Sequence, residues 1–250
     1  MNIQLSKKYD TNINIKQWYA SPKLDGVRCL FYDNALWTRS GKKIISCDHI
    51  LNQAQRLGYS FLDGELYHHD MSFESIQGHA ISKKNSTKLQ YHVFVRKQIT
   101  HQVFESTKNL SNDIITVKSE LIDKNQINSY LKKAIENGYE GIMLRNPDVL
   151  YASGRTNHLL KLKPEKKIMD CKIIDTVNGI KGGKNVLTKL LVRQKNGIEI
   201  YIGTGFNDKF RNENLDNTKI IGKICEIEYQ NLTNKGKMRF ASFKRLRLDL

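Results

Sequence analysis

Apolar residues in this chain mostly come in short alternating runs, and only a few windows carry them at helical spacing. Val27 to Tyr32 reads as a strand, Asp33-Asn34 as a tight turn and Ala35 to Arg39 as the returning strand. Asp48 to Leu57 places Ile50, Leu51, Ala54 and Leu57 on one helical stripe, with Gly58 as the stop. Phe61 to Tyr67 predicts a strand with Asp63 and Glu65 on one face and Leu62 and Leu66 on the other. Met71 to Ala80 reads as a short helix and Tyr91 to Val95 as a strand. Asn125 to Asn137 carries an apolar stripe closed by Gly138, and Glu140 to Arg145 follows as a strand. Leu159 to Pro164 alternates, so Lys161 and Lys163 share a face.

The pattern changes after Pro164-Glu165-Lys166-Lys167. Met169 to Val177, Thr188 to Arg193, Ile198 to Ile202 and Lys223 to Tyr229 all read as strands separated by turns. Two domains are expected, 1–164 and 165–250. The first mixes helices and strands, and the second suggests a small β-barrel of the oligonucleotide-binding type, which makes the chain α+β.

Charge narrows the class of partner. The formal net charge is +16. Residues 1–164 carry 23 Lys and Arg against 15 Asp and Glu, and residues 165–250 carry 18 against 10. Both halves are basic, as expected if both touch one long polyanion such as nucleic acid; an overall lysine-rich bias is the competing explanation. No apolar run is long enough for a membrane span, and Met1 to Asp10 is too polar for a secretion signal. Cys29, Cys47, Cys171 and Cys225 show no zinc-ligand spacing and read as reduced, mostly buried thiols of a cytosolic protein.

Candidate chemistry concentrates in Ser21-Pro22-Lys23-Leu24-Asp25-Gly26-Val27-Arg28. Pro22 biases its neighbour toward extended backbone and Asp25-Gly26 reads as a turn, so Lys23 is expected on a loop at the mouth of a sheet. A lysine there can become a nucleophile if neighbouring cations or burial help its amine lose a proton. Taken alone, such a stretch is more often a solvated surface lysine. Asp63 and Glu65, side by side on one strand face, call for a cation or a hydroxyl-rich ligand if they are not simply solvated. Phe94, taken alone, reads as core.

Taken together, these pieces resemble the ATP-dependent DNA ligases of the covalent nucleotidyltransferase superfamily, and the minimal viral and phage-type enzymes in particular. Lys23-Leu24-Asp25-Gly26-Val27-Arg28 is similar to the family's first motif, and Thr38-Arg39-Ser40-Gly41 to the arginine motif that follows. Asp63-Gly64-Glu65 resembles the third motif, and Tyr91 to Phe94 the strand whose aromatic stacks on adenine. Glu140-Gly141-Ile142-Met143-Leu144-Arg145 resembles the fourth and Lys161-Leu162-Lys163 the fifth. Ile202-Gly203-Thr204-Gly205-Phe206 and Arg239 to Asp249, with Arg247 and Asp249 as its functional pair, are similar to stretches of the second domain. Each motif is weak alone, but their order and intervals are very specific. Val95 stands where the family usually has an aspartate after the stacking aromatic.

The resemblance implies an ATP-grasp-like nucleotidyltransferase domain of antiparallel sheets with helices, followed by an OB-fold barrel. It implies attack of Lys23 on ATP, a covalent lysine–AMP, transfer of AMP to a nick 5′-phosphate, and sealing by the 3′-hydroxyl. Lys161 and Lys163 would neutralise the α-phosphate, Glu65 would accept from the ribose and Phe94 would face adenine. Glu140, with Asp63 or Asp25, would hold Mg2+. Arg28 and Arg39 would take the nick 5′-phosphate, with Arg28 also beside the nucleotide, and Arg247 would reach the pyrophosphate if the barrel closes over the first domain about a hinge near Pro164 to Lys167. The expected partner is nicked double-stranded DNA, bound by a monomer in the cytoplasm, or in a host cell if the gene is viral. The alternatives are an RNA ligase, a capping guanylyltransferase, or a nucleic-acid-binding relative without catalysis.

Overall fold

The computed structural model describes residues 3–98, 101–102, 109–216, 219–233 and 235–247. They form two compact units, Met1–Lys163 and Pro164–Leu250. Asp249 lies outside the described residues.

The first unit begins with β1 (Gln4–Lys8), β2 (Gln17–Lys23), β3 (Val27–Tyr32), β4 (Ala35–Thr38), β5 (Lys43–Ile44) and α1 (Asp48–Arg56). It continues through β6 (Phe61–Tyr67), α2 (Phe73–Ala80), β7 (Gln90–Gln98), β8 (His101–Gln102), β9 (Ile114–Thr116) and β10 (Glu120–Asp123). It ends with α3 (Ile127–Glu136), β11 (Gly141–Arg145) and β12 (Gly154–Leu162). One sheet has the order β1-β12-β11-β2-β10, and the other runs β5-β4-β3-β6-β7-β8 with β9 beside β7.

Each sheet buries one face. Trp18, Ala20, Ile142, Leu144 and Leu160 of the first pack on Ile127 and Ala134 of α3. Cys29, Phe31, Leu62, Leu66 and Tyr91 of the second pack on Ile50 and Ala54 of α1 and Ile76 of α2. Period two then puts Lys23, Lys161, Arg28 and Glu65 on the opposite faces, where they line a common cavity. The sheets are mixed, not wholly antiparallel: β1 runs parallel to β12 and β9 parallel to β7. Both pairs join strands separated by long crossovers, which a parallel pair requires.

Lys23 is not on a loop. It is the last residue of β2, with Pro22 opposite Ile142 of β11. β10 pairs with β2 only as far as Ala20, so the proline segment is paired on one side, where a missing N–H is tolerated.

A register shift aims Phe94. Asp63 pairs with Val95 but Gly64 pairs with Val93, so Phe94 is the extra residue of a bulge. Gly64 allows the close approach, since a Cβ there would stand 2.4 Å from the His92 carbonyl oxygen. Val95 is buried opposite Asp63, where a carboxylate would face a second buried carboxylate.

The second unit comprises β13 (Lys167–Lys181), β14 (Lys184–Arg193), β15 (Glu199–Ile202), α4 (Asp208–Glu213), β16 (Ile224–Tyr229), β17 (Asn231–Leu232), β18 (Met238–Arg239) and β19 (Ser242–Leu246). Its main sheet has the order β15-β14-β13-β16-β19 around Ile173, Leu190, Val192, Ile200 and Ile227. Among the described residues no ladder closes β15 onto β19. One backbone bond, Phe243 N–H to the Thr204 oxygen at 3.0 Å, spans that seam. Arg211 of α4 is buried and donates to the carbonyls of Leu187 at 2.8 Å and Gly203 at 3.2 Å.

All four cysteines are free and buried. Among the described residues no helix is long and apolar enough to cross a membrane.

Candidate active site

The cavity between the two sheets of the first unit has a volume of about 860 Å³ and is walled by β2, β3, β6, β7, β11 and β12, with α2 at one side. Eight of its lining residues are lysine or arginine and one, Glu65, is a carboxylate. Such a wall suits a ligand that carries several negative charges.

At one end Lys23 and Lys163 both donate to Glu140, one to each carboxylate oxygen. β11 brings this about: Glu140 precedes it, Gly141 pairs with Lys23, and its partner β12 ends just before Lys163. Gly141 keeps the strands close, because a Cβ there would lie 2.2 Å from the Leu162 carbonyl oxygen. The two ammonium partners hold the Glu140 carboxyl below its ordinary range although burial pushes the other way. Lys161 makes no ion pair among the described residues. Burial lowers its pKa first, and the charges of Lys163, Lys23 and Arg155 push in the same direction. A cation crowded by cations is an electrostatic vacancy for an anion.

Asp25 follows Lys23 closely, and its carboxyl is raised by burial and then by the charge of Glu140. Two neighbouring carboxylates of this kind suit a divalent cation that takes one or two protein oxygens and fills its shell with phosphate and water. Among the described residues no group of three or more His, Cys, Asp or Glu forms a complete cage.

The expected Asp63–Glu140 cation pair draws no support from this geometry. Asp63 is fully buried, and its oxygens accept from Arg28 Nε at 2.5 Å, Arg28 Nη2 at 2.6 Å and the Tyr151 hydroxyl at 2.7 Å. It sits on β6, in the opposite sheet from the β11 that Glu140 precedes, and three hydrogen bonds from two side chains occupy its oxygens. Held in this way, the Arg28 guanidinium lies 4.7 Å from the centre of the Phe94 ring. Arg39 stands exposed on the turn after β4 and lines the cavity.

Glu65 accepts the Gly26 N–H at 3.1 Å. Burial raises its pKa to about 7, against the opposing pull of Lys23 and Arg28. The sign follows from the proton count. Between 4.5 and about 7 the folded chain holds a proton that the unfolded chain has lost, so this residue's contribution to stability falls as pH rises through that window. A hydroxyl ligand meets a full acceptor only above it. We expect stability to fall as pH rises from 4.5 to about 7, and Glu65→Gln to flatten that profile, in urea denaturation across the window.

Sequence reasoning missed three residues here. Gln4 donates its N–H to the Tyr151 hydroxyl at 3.1 Å and accepts Arg28 Nη2 at 3.3 Å and Arg145 Nη1 at 2.5 Å. Burial lowers the Arg145 pKa to about 10. Gln4 and Tyr151 carry no local signal. Arg145 does, because it alternates with Met143 on a strand whose other face is core. Arg247 belongs to the second unit, where its Nη1 lies 3.2 Å from Asp170 and 3.6 Å from Glu226.

Comparison with known proteins bears on both units. Residues 81–163 match the family model "ATP dependent DNA ligase domain", and residues 179–247 match "DNA ligase OB-like domain". A DNA ligase of Haemophilus influenzae is 30% identical over 245 residues, covering 94% of this chain and 88% of its own. A DNA ligase of African swine fever virus is 30% identical over 174 residues, 59% of this chain and 40% of that one. Among solved structures, one from a study of DNA binding by Lig E ligases with a minimal scaffold superposes with a TM-score of 0.69 at 27% identity, covering 99% of both chains. A Chlorella virus DNA ligase–adenylate shares the fold at a TM-score of 0.53 and 21% identity, over 98% of both.

Proposed function

This chain belongs to the ATP-dependent DNA ligases, enzymes that seal nicks, and from that premise we propose which of its residues carry each step. The observation that carries the proposal is the Lys23–Glu140–Lys163 cluster beside Lys161 at the end of a cationic cavity. Lys23 Nζ, once free of its proton, attacks the α-phosphorus of ATP. A P–N bond forms, the P–O bond to pyrophosphate breaks, and AMP stays on the lysine. AMP then passes to the 5′-phosphate at a nick in duplex DNA, and the 3′-hydroxyl displaces it.

The protein's part is positioning and charge neutralisation. Lys161 and Lys163 face the non-bridging α-phosphate oxygens. Phe94 faces adenine, with Arg28 supporting its ring. Glu65 accepts from the ribose, and Arg39 takes the nick phosphate. Arg247 acts on the pyrophosphate. Asp25 and Glu140 would hold a divalent cation, Mg2+ by the hardness of their oxygens. When bound, that ion would neutralise charge on the transferring phosphate.

The protein acts as a monomer, in the cytoplasm of its own or a host cell, and grips the DNA backbone without base readout. Incubation with radiolabelled ATP and, separately, GTP tests the reading. We expect label on the protein from ATP alone, sealing of an all-DNA nick, and binding to nicked duplex that weakens steeply with salt. Labelling by GTP would point to a capping enzyme, preference for RNA ends to an RNA ligase, and no label from either to an inert binder.

A further inference from the structure

The proposed chemistry leaves Tyr151 and Asp63 without a role, and they belong to a network that ties the two sheets together. Tyr151 stands in the connection between β11 and β12 of one sheet, and its hydroxyl donates to Asp63 on β6 of the other at 2.7 Å. The same hydroxyl accepts the Gln4 N–H at 3.1 Å, and its ring meets Phe61 edge-on at 5.6 Å. Asp63 in turn grips the Arg28 fork at 2.5 and 2.6 Å, and the guanidinium of Arg28 lies 4.7 Å from the Phe94 ring centre.

We propose that Tyr151 is a positioning residue for the nucleotide: through Asp63 it fixes the Arg28 plane that backs the Phe94 ring, and so sets where that ring offers its free face. The physical case is one of satisfied valence. Asp63 is fully buried and Arg28 alone cannot fill all of its lone pairs, so a third donor decides how the carboxylate sits. A bidentate pair transmits that orientation, because both N–H groups of the fork must follow the carboxylate plane. An aromatic face already backed by a cation leaves one side for a base.

The inference rests on the proposed roles of Phe94 and Arg28 in holding the adenylate, and the test separates the two. Tyr151→Phe removes only the hydroxyl. In self-labelling with ATP we expect KM to rise about five- to tenfold, with the rate at saturating ATP within about twofold of the parent; the net worth of one ordinary hydrogen bond has this size. Sealing of a nick that already carries the adenylate, read at saturating DNA, should stay within about twofold of the parent. Phe61→Leu is the control: it removes the ring packed on Tyr151 but no hydrogen bond, and should lower Tm without moving KM. An unaltered KM in Tyr151→Phe overturns the proposal, as does a KM that rises equally in Phe61→Leu. A defect mainly in sealing the pre-adenylated nick would also overturn it, because Arg28 would then serve the DNA phosphate. If the parent protein takes no label from ATP, the proposed function fails first.

Discussion

Lys23→Ala should abolish label transfer from ATP and cut nick sealing by at least about four orders of magnitude, the scale seen when a covalent nucleophile is removed. The loss is confined to the first step. Supplied with DNA that already carries the 5′-adenylate, the variant should still join it, because the 3′-hydroxyl and not the lysine is the nucleophile there. The measurement is a pair of single-turnover assays, one on ATP with a phosphorylated nick and one on the pre-adenylated nick. Equal loss in both would mean that the substitution disturbs the site as a whole. The variant also takes the lysine partner from Glu140 Oε2 and leaves Lys163 on Oε1, so a modest effect on the adenylated substrate is tolerable.

Asp63→Ala carries the largest expected cost in stability. Asp63 is fully buried and holds the Arg28 fork and the Tyr151 hydroxyl together. Removing it strands a guanidinium whose side chain is 21% exposed, so the loss should sit at or just below the roughly 3–5 kcal/mol of fully buried pairs. Urea denaturation should show that loss as a lower midpoint at an unchanged slope. Asp63→Asn keeps the volume and one acceptor, and should lose less. If Asp63→Ala were as stable as the parent but failed to respond to Mg2+, the carboxylate would be a metal ligand and not a structural one.

These residues also separate what local pattern could reveal from what it could not. The hairpin from Val27 was legible because Asp33 and Asn34 accept positive φ, 50° and 49°, as a two-residue turn between right-twisted strands requires. The ligase resemblance was legible because its motifs sit at strand ends and turns, where few residue types serve, and the relatives bear it out. β2 was not. Pro22 reads as a breaker, and only the end of β10 at Ala20 makes it tolerable. The bulge that turns Phe94 outward depends on how β6 and β7 pair, which no single strand encodes. Gln4 and Tyr151 lie 147 residues apart, and nothing in either neighbourhood points to the other. Asp63 shows a related limit. Its strand face was correct, but period two cannot tell an open carboxylate from one already filled by Arg28.

The most direct measurement is peptide mapping by mass spectrometry of the protein after brief exposure to ATP and Mg2+, without DNA. The account predicts one added adenylate, acid-labile as a phosphoramidate is, on the peptide that contains Lys23 and nowhere else. An adenylate on Lys161 or Lys163, or a protein that seals nicks from ATP with no adduct on any lysine, would contradict it.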